Sequence, residues 1–169
     1  MNLEEYCKTL KKSELLGLAI KMCGHALPIW ERYASLNRLE YRDSVTGVLH
    51  HVQKEILSMS IQFCKKEVLN TQQWEQAFDN LNKEFADPNA AIQNFDWELP
   101  YSVEKVFQAT FNLLRGLKEP VNLFDEQTHY VSINQAADAL QSSGLMGIDE
   151  IKEIISSYKL FLEKKGSIT

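Results

Sequence analysis

The chain has 169 residues, is 44% hydrophobic and 24% charged, and contains only 7 Gly and 4 Pro. That length suits one domain with its own core and rules out global disorder; the three cysteines, Cys7, Cys23 and Cys64, are too few and odd in number for a disulfide-framed secreted fold. A net charge of −5 argues against a general nucleic-acid binder, which normally carries a basic surplus.

Nearly every segment reads as helix, and the expectation is a single all-α domain over residues 1–169, a bundle of six or seven helices. A short first helix spans about Leu3 to Leu10. Ser13 then reads as an N-cap, with Glu14 in the first turn of a helix whose stripe is Leu15, Leu18, Ala19, Met22, Cys23 and Ala26. Pro28 predicts a kink or a restart, and Ile29, Trp30, Tyr33 and Leu36 carry the apolar face on to a turn at Asn37 to Glu40. A third long helix is expected from about Tyr41 to Leu69, on Val45, Val48, Leu49, Val52, Ile56, Met59 and Phe63. Thr71 caps a fourth, carrying Trp74, Phe78, Leu81 and Phe85, which Asp87-Pro88-Asn89 ends. The stretch from Ala90 to Pro100 is irregular. Ser102 caps a fifth helix, Gly116 to Pro120 break it, a sixth runs from about Val121 to Gln141, and a seventh starts near Asp149. No segment shows sustained period-two alternation.

The N-terminus lacks the basic and apolar regions of a signal peptide, no apolar run is long enough to span a bilayer, and neither end carries a lipidation motif. A cytoplasmic protein without membrane contact, its cysteines acting as small core residues, is the expectation.

Catalytic signatures are missing. There is no Gly-x-Ser-x-Gly elbow, no phosphate loop and no dinucleotide turn. Cys23 and His25 would point about 200° apart on a helix. Metal chemistry has partial support. A carboxylate-bridged bundle needs two Glu-x-x-His units, and only Glu126 and His129 form one. His51 and Glu55 lie one turn apart on the expected helix, whereas His50 and His51 diverge. An alternative reading is therefore a helical-bundle metalloprotein or metal-dependent enzyme in which His50, His51, Glu55, Glu126 and His129 converge. Arg32, Arg38 and Arg42, interspersed with Glu31, Glu40 and Asp43, read as a salt-bridge cluster.

Charge is unevenly spread. Residues 1–66 carry 10 Lys/Arg against 7 Asp/Glu, residues 67–98 carry 1 against 7, and residues 99–169 carry 7 against 9. The negative surplus is thus concentrated in one block, interleaved with Trp74, Phe78, Phe85, Phe95 and Trp97. Acidic groups around aromatic anchors are what a protein needs to grip a basic partner: charge steers the encounter, and a few desolvated aromatics hold it. The candidate partner-binding residues are Glu75, Asp79, Glu84, Asp96, Trp97 and Glu98. No cofactor is expected.

The run Ala19-Ile20-Lys21-Met22-Cys23-Gly24-His25-Ala26-Leu27-Pro28-Ile29-Trp30-Glu31-Arg32-Tyr33, followed by Glu40-Tyr41-Arg42-Asp43, resembles small all-helical immunity proteins of bacterial polymorphic-toxin and contact-dependent-inhibition systems. It is similar also to an uncharacterised bacterial helical family of like size. The likeness covers roughly residues 15–57, about a quarter of the chain, and departs from the pattern where His25-Ala26 stands in place of an Arg before Leu27. It implies a non-catalytic protein that binds and blocks a cognate toxin, and no site residue is carried over from it. An acidic surface would fill a basic nuclease cleft in place of phosphate. A homodimeric helical scaffold is the third reading, since amphipathic stripes serve intermolecular cores equally well.

Overall fold

A computed structural model of the chain describes residues 2–42, 45–66, 72, 75, 76, 79 and 98–167. Among the described residues, the elements that can be bounded are, in order, α1 (Leu3–Thr9), α2 (Lys12–Leu36), β1 (Glu40–Arg42), β2 (Leu49–His51), α3 (Ile56–Lys65), α4 (Tyr101–Arg115), α5 (Thr128–Ser142) and α6 (Ile148–Ser167), the two strands forming a hairpin. The domain is predominantly all-α, as its composition and periodicity predict. Among the described residues, no helix is long and apolar enough to cross a membrane.

The caps are local chemistry. Asn2 Oδ1 accepts from the Glu5 N–H at 2.8 Å and Glu5 reaches back to the Asn2 N–H, so α1 opens with a capping box. Ser13 is not the cap of α2. That helix starts at Lys12 with Lys11 in the cap position, two residues earlier, and the Glu14 carboxylate accepts from the Lys11 N–H at 2.8 Å. The helix also runs through Pro28 without restarting. An interior proline costs about 3 kcal/mol, but Ala26 and Trp30 on either side of it are fully buried, and their packing offsets the lost hydrogen bond.

The expected long helix from Tyr41 to Leu69 does not form. In its place β1 pairs antiparallel with β2, with Tyr41 opposite His50, and α3 is confined to Ile56–Lys65. Gly47 supplies a φ of 69° in the connecting turn, and Arg42 Nη1 donates to its carbonyl at 2.7 Å. Val45 and Val48, which the helical stripe would bury, are 91% and 51% exposed. The residues that do go inside are Tyr41, central in β1, and Val52, the residue after β2.

The core is a helix sandwich. α2 presents Leu15, Leu18, Ala19, Met22, Cys23, Ala26 and Trp30 to α4 and α5, which pack most closely on each other through Val106, Phe107, Leu113, Leu114, Ile133, Ala136 and Leu140. α3 covers the α2–α4 junction with Ile56, Leu57 and Ile61. The α5–α6 turn uses Gly144, at φ 75°, where a side chain would be strained. α6 is fastened to α2 by Tyr158, whose hydroxyl donates to the Glu14 carbonyl at 2.5 Å. Gly17 makes that approach possible, because a Cβ there would fall on the Tyr158 hydroxyl.

Candidate functional site

Glu75 and Asp79 occupy helical positions one turn apart and both are exposed. Lys118, just beyond the C-terminal end of α4, donates to Asp79 Oδ1 at 3.2 Å. Beside it Arg115 pairs with Glu119 at 2.6 Å. Glu98 is exposed ahead of the N-terminal end of α4. The 15 residues of α4 rise about 22 Å at 1.5 Å per residue, so Glu98 stands at the opposite end of this helix from Asp79. Glu84, Asp96 and Trp97 lie outside the described residues, as do the Thr71 cap and most of the helix expected after it.

The connection between α4 and α5 departs from expectation and adds to this region. Residues from Val121 were expected in a helix, but α5 starts at Thr128. Instead Val121 bridges to Gln127 and encloses a short loop. Asn122 organises it: its Oδ1 accepts from the N–H groups of Phe124 at 2.8 Å and Glu126 at 3.0 Å, and its Nδ2 donates to Glu126 Oε2 at 3.1 Å. Asp125 takes a left-handed backbone, φ 59°, which aspartate tolerates better than most residues. Leu123 and Phe124 are thereby turned into solvent, 93% and 82% exposed. The signal for this loop was present as Pro120, Asn122 and Asp125, three turn-forming residues within six positions.

The residues of the metal reading are dispersed. His50 stacks on Tyr41 with ring centroids 5.0 Å apart. His51 Nδ1 faces Glu40 at 3.3 Å, and Glu55 lies 3.9 Å from Lys54. Glu126 is engaged by Asn122, and His129 is buried, its Nε2–H donating to the Leu113 carbonyl at 3.1 Å. Glu126 and His129 are not on one helical face, because the helix begins between them. Among the described residues, no three His, Cys, Asp or Glu side chains form a group that could hold a metal. Of the arginine cluster, Arg38 sits 3.8 Å from Glu40 while Arg42 bonds the Gly47 carbonyl; Asp43 is outside the described residues.

The cysteines are core residues. Burial pushes the Cys7 thiol up to about 11 and those of Cys23 and Cys64 up to about 12, leaving them protonated near neutrality. A groove of about 910 Å³ between α1, α5 and α6 is lined by Leu3, Ile151, Ile155, Lys152 and Lys159. It holds none of the predicted site residues.

His129 yields a pH prediction. Burial lowers its pKa from the ordinary 6.5, opposed by the bond to Leu113. The unfolded chain therefore takes up protons that the folded state resists as pH falls through 6.5. The stability it contributes is whole above that value and is lost as pH drops toward the depressed folded value. His25 shifts the same way through burial, so both matter. Replacing His129 by Gln is expected to flatten the fall of the urea midpoint between about pH 7 and about pH 5 more than His25→Gln does. Equal slopes in all three proteins would assign the pH dependence to other groups.

Compared with protein-family models, with curated proteins and with solved structures, the chain matches none.

Proposed function

We propose that the chain is a non-catalytic binding protein, an inhibitor of the immunity type, that occludes a basic protein such as a nuclease toxin. The observation that carries the reading is the pair Glu75 and Asp79, exposed together one helical turn apart within a segment that has 7 acidic residues against 1 Lys. Exposed carboxylates attract a cationic cleft over a Debye length of about 8–10 Å and speed its capture. Glu98 is exposed at the far end of α4, and Glu84, Asp96 and Trp97 belong to the same sequence block. Lys118 holds Asp79 in the free protein, so a partner's Lys or Arg competes for that carboxylate or joins it in a shared pair.

The test is affinity capture of the native chain from lysate of its source cell, with elution at low and then high salt. A single stoichiometric polypeptide of basic composition, released by salt, is the expected result. Recovery of the chain alone, or with a neutral or acidic partner indifferent to salt, would remove the acidic surface as the binding device. Bound metal recovered instead, and lost on His51→Ala, would return the metal reading.

A further inference from the structure

We infer that the loop Val121–Gln127 is an apolar plug, and that Leu123 and Phe124 seat in an apolar pocket of the same basic protein that Glu75 and Asp79 attract. The inference rests on the proposed function for the sign of the partner's charge and adds to it the element that holds the complex.

Three observations converge on it. Leu123 and Phe124 are neighbours and are 93% and 82% exposed, whereas the large apolar side chains of the core lie near zero. Their exposure is built in. The Asn122 N–H donates to the Glu126 carbonyl at 2.9 Å, Asp125 N–H to the Asn122 carbonyl at 3.2 Å, and Thr128 N–H to the Pro120 carbonyl at 2.9 Å. Thr128 Oγ1 also donates to the Glu119 carbonyl at 2.5 Å. With the three side-chain bonds of Asn122, these fix the loop in the shape that keeps both residues out of the core. A segment ordered before binding loses little entropy when it docks. Third, Asp125 and Glu126 directly follow the apolar pair, while Glu119 and Asp79 are matched by Arg115 and Lys118. The apolar tip thus has two carboxylates next to it in the chain, and Lys118, three residues before the loop, reaches Asp79. A buried aromatic anchor inside a polar rim is the arrangement that concentrates binding energy, and the charge of this rim selects a cationic pocket mouth. The same carboxylates disfavour the anionic surface of a bilayer.

The experiment places a photo-reactive phenylalanine derivative in the full chain at Phe124 and, in a second preparation, at Gln76, an exposed neighbour of Glu75. Both are irradiated in source-cell lysate. The expected result is labelling of one basic polypeptide from both positions, with the Phe124 adduct mapping to apolar residues flanked by Lys or Arg. With that polypeptide purified, Leu123→Ser/Phe124→Ser is expected to raise Kd at least tenfold through faster dissociation, with the thermal melt unchanged because both side chains are exposed. Asn122→Ala, which loosens the loop but keeps its tip, is expected to fall between that variant and wild type. If Gln76 labels a basic protein while Phe124 labels lipid, a second copy of the chain or nothing, the plug is overturned and the acidic-surface reading stands. Wild-type affinity in Leu123→Ser/Phe124→Ser overturns it equally. If neither position labels a basic polypeptide, both readings fall.

Discussion

Replacing Trp30 by alanine is expected to lower the unfolding free energy by about 3–5 kcal/mol, the range for removing a large aromatic from a packed core. Trp30 is fully buried, its ring centroid lies 5.7 Å from that of Phe107 on α4, and its Nε1–H donates to the Lys54 carbonyl at 2.9 Å. One side chain therefore joins α2, α4 and the turn that leads into α3. Truncation leaves a cavity and also takes the partner from a main-chain acceptor, and both effects destabilise. A whole domain is held by only about 5–15 kcal/mol, so the loss is a large share of the total. Denaturant unfolding with the slope unchanged is the check. Trp30→Phe keeps most of the ring and loses the donor, and its expected cost is about 1–2 kcal/mol. A loss below about 1 kcal/mol for Trp30→Ala would mean that the three elements are not joined at this residue.

Gly116→Ala is expected to cost about 1–3 kcal/mol, the range for forcing atoms into a filled space. Gly116 has an ordinary helical backbone, φ −62°, so the effect is one of contact and not of conformation. A Cβ at this position would overlap Cδ2 and Nε2 of His129, which is 4% exposed and bonded to the Leu113 carbonyl. The ring must move and its hydrogen bond lengthen. The mechanism is separable by a double-mutant cycle. Gly116→Ala in a His129→Ala background finds the space vacated, so the combined loss is expected to be smaller than the sum of the two single losses. Additive losses would assign the glycine some other role.

Long amphipathic helices were legible because their periodicity repeats. The stripe of α2, read as Leu15, Leu18, Ala19, Met22, Cys23 and Ala26, is the buried face of that helix. α6 begins next to Asp149, as its dipole-compatible first turn implies. The hairpin was not legible. Strands of three residues are too short to display alternation, and Val45, Val48, Leu49 and Val52 mimic the spacing of a helix stripe. Thr46-Gly47 was the available turn signal, and it lost to the longer apparent period. The same competition hid the 121–127 loop, where Asn122 and Asp125 act through main-chain bonds that hydropathy does not register. At the candidate site the sequence located the acidic block. It did not separate Glu98 from Asp79 by the length of α4, because that distance follows from a single ion pair between Asp79 and Lys118, 39 residues apart.

Capture of a basic partner through Glu75 and Asp79 is read from the association rate measured across ionic strength. The measurement compares wild type with Glu75→Lys/Asp79→Lys, using the salt-released partner from native capture. For the wild type a fast rate that falls steeply between low and physiological salt is predicted, and for the charge-reversed variant a rate at least tenfold slower at low salt that changes little. Identical rates for the two proteins at every salt concentration would contradict capture through these carboxylates.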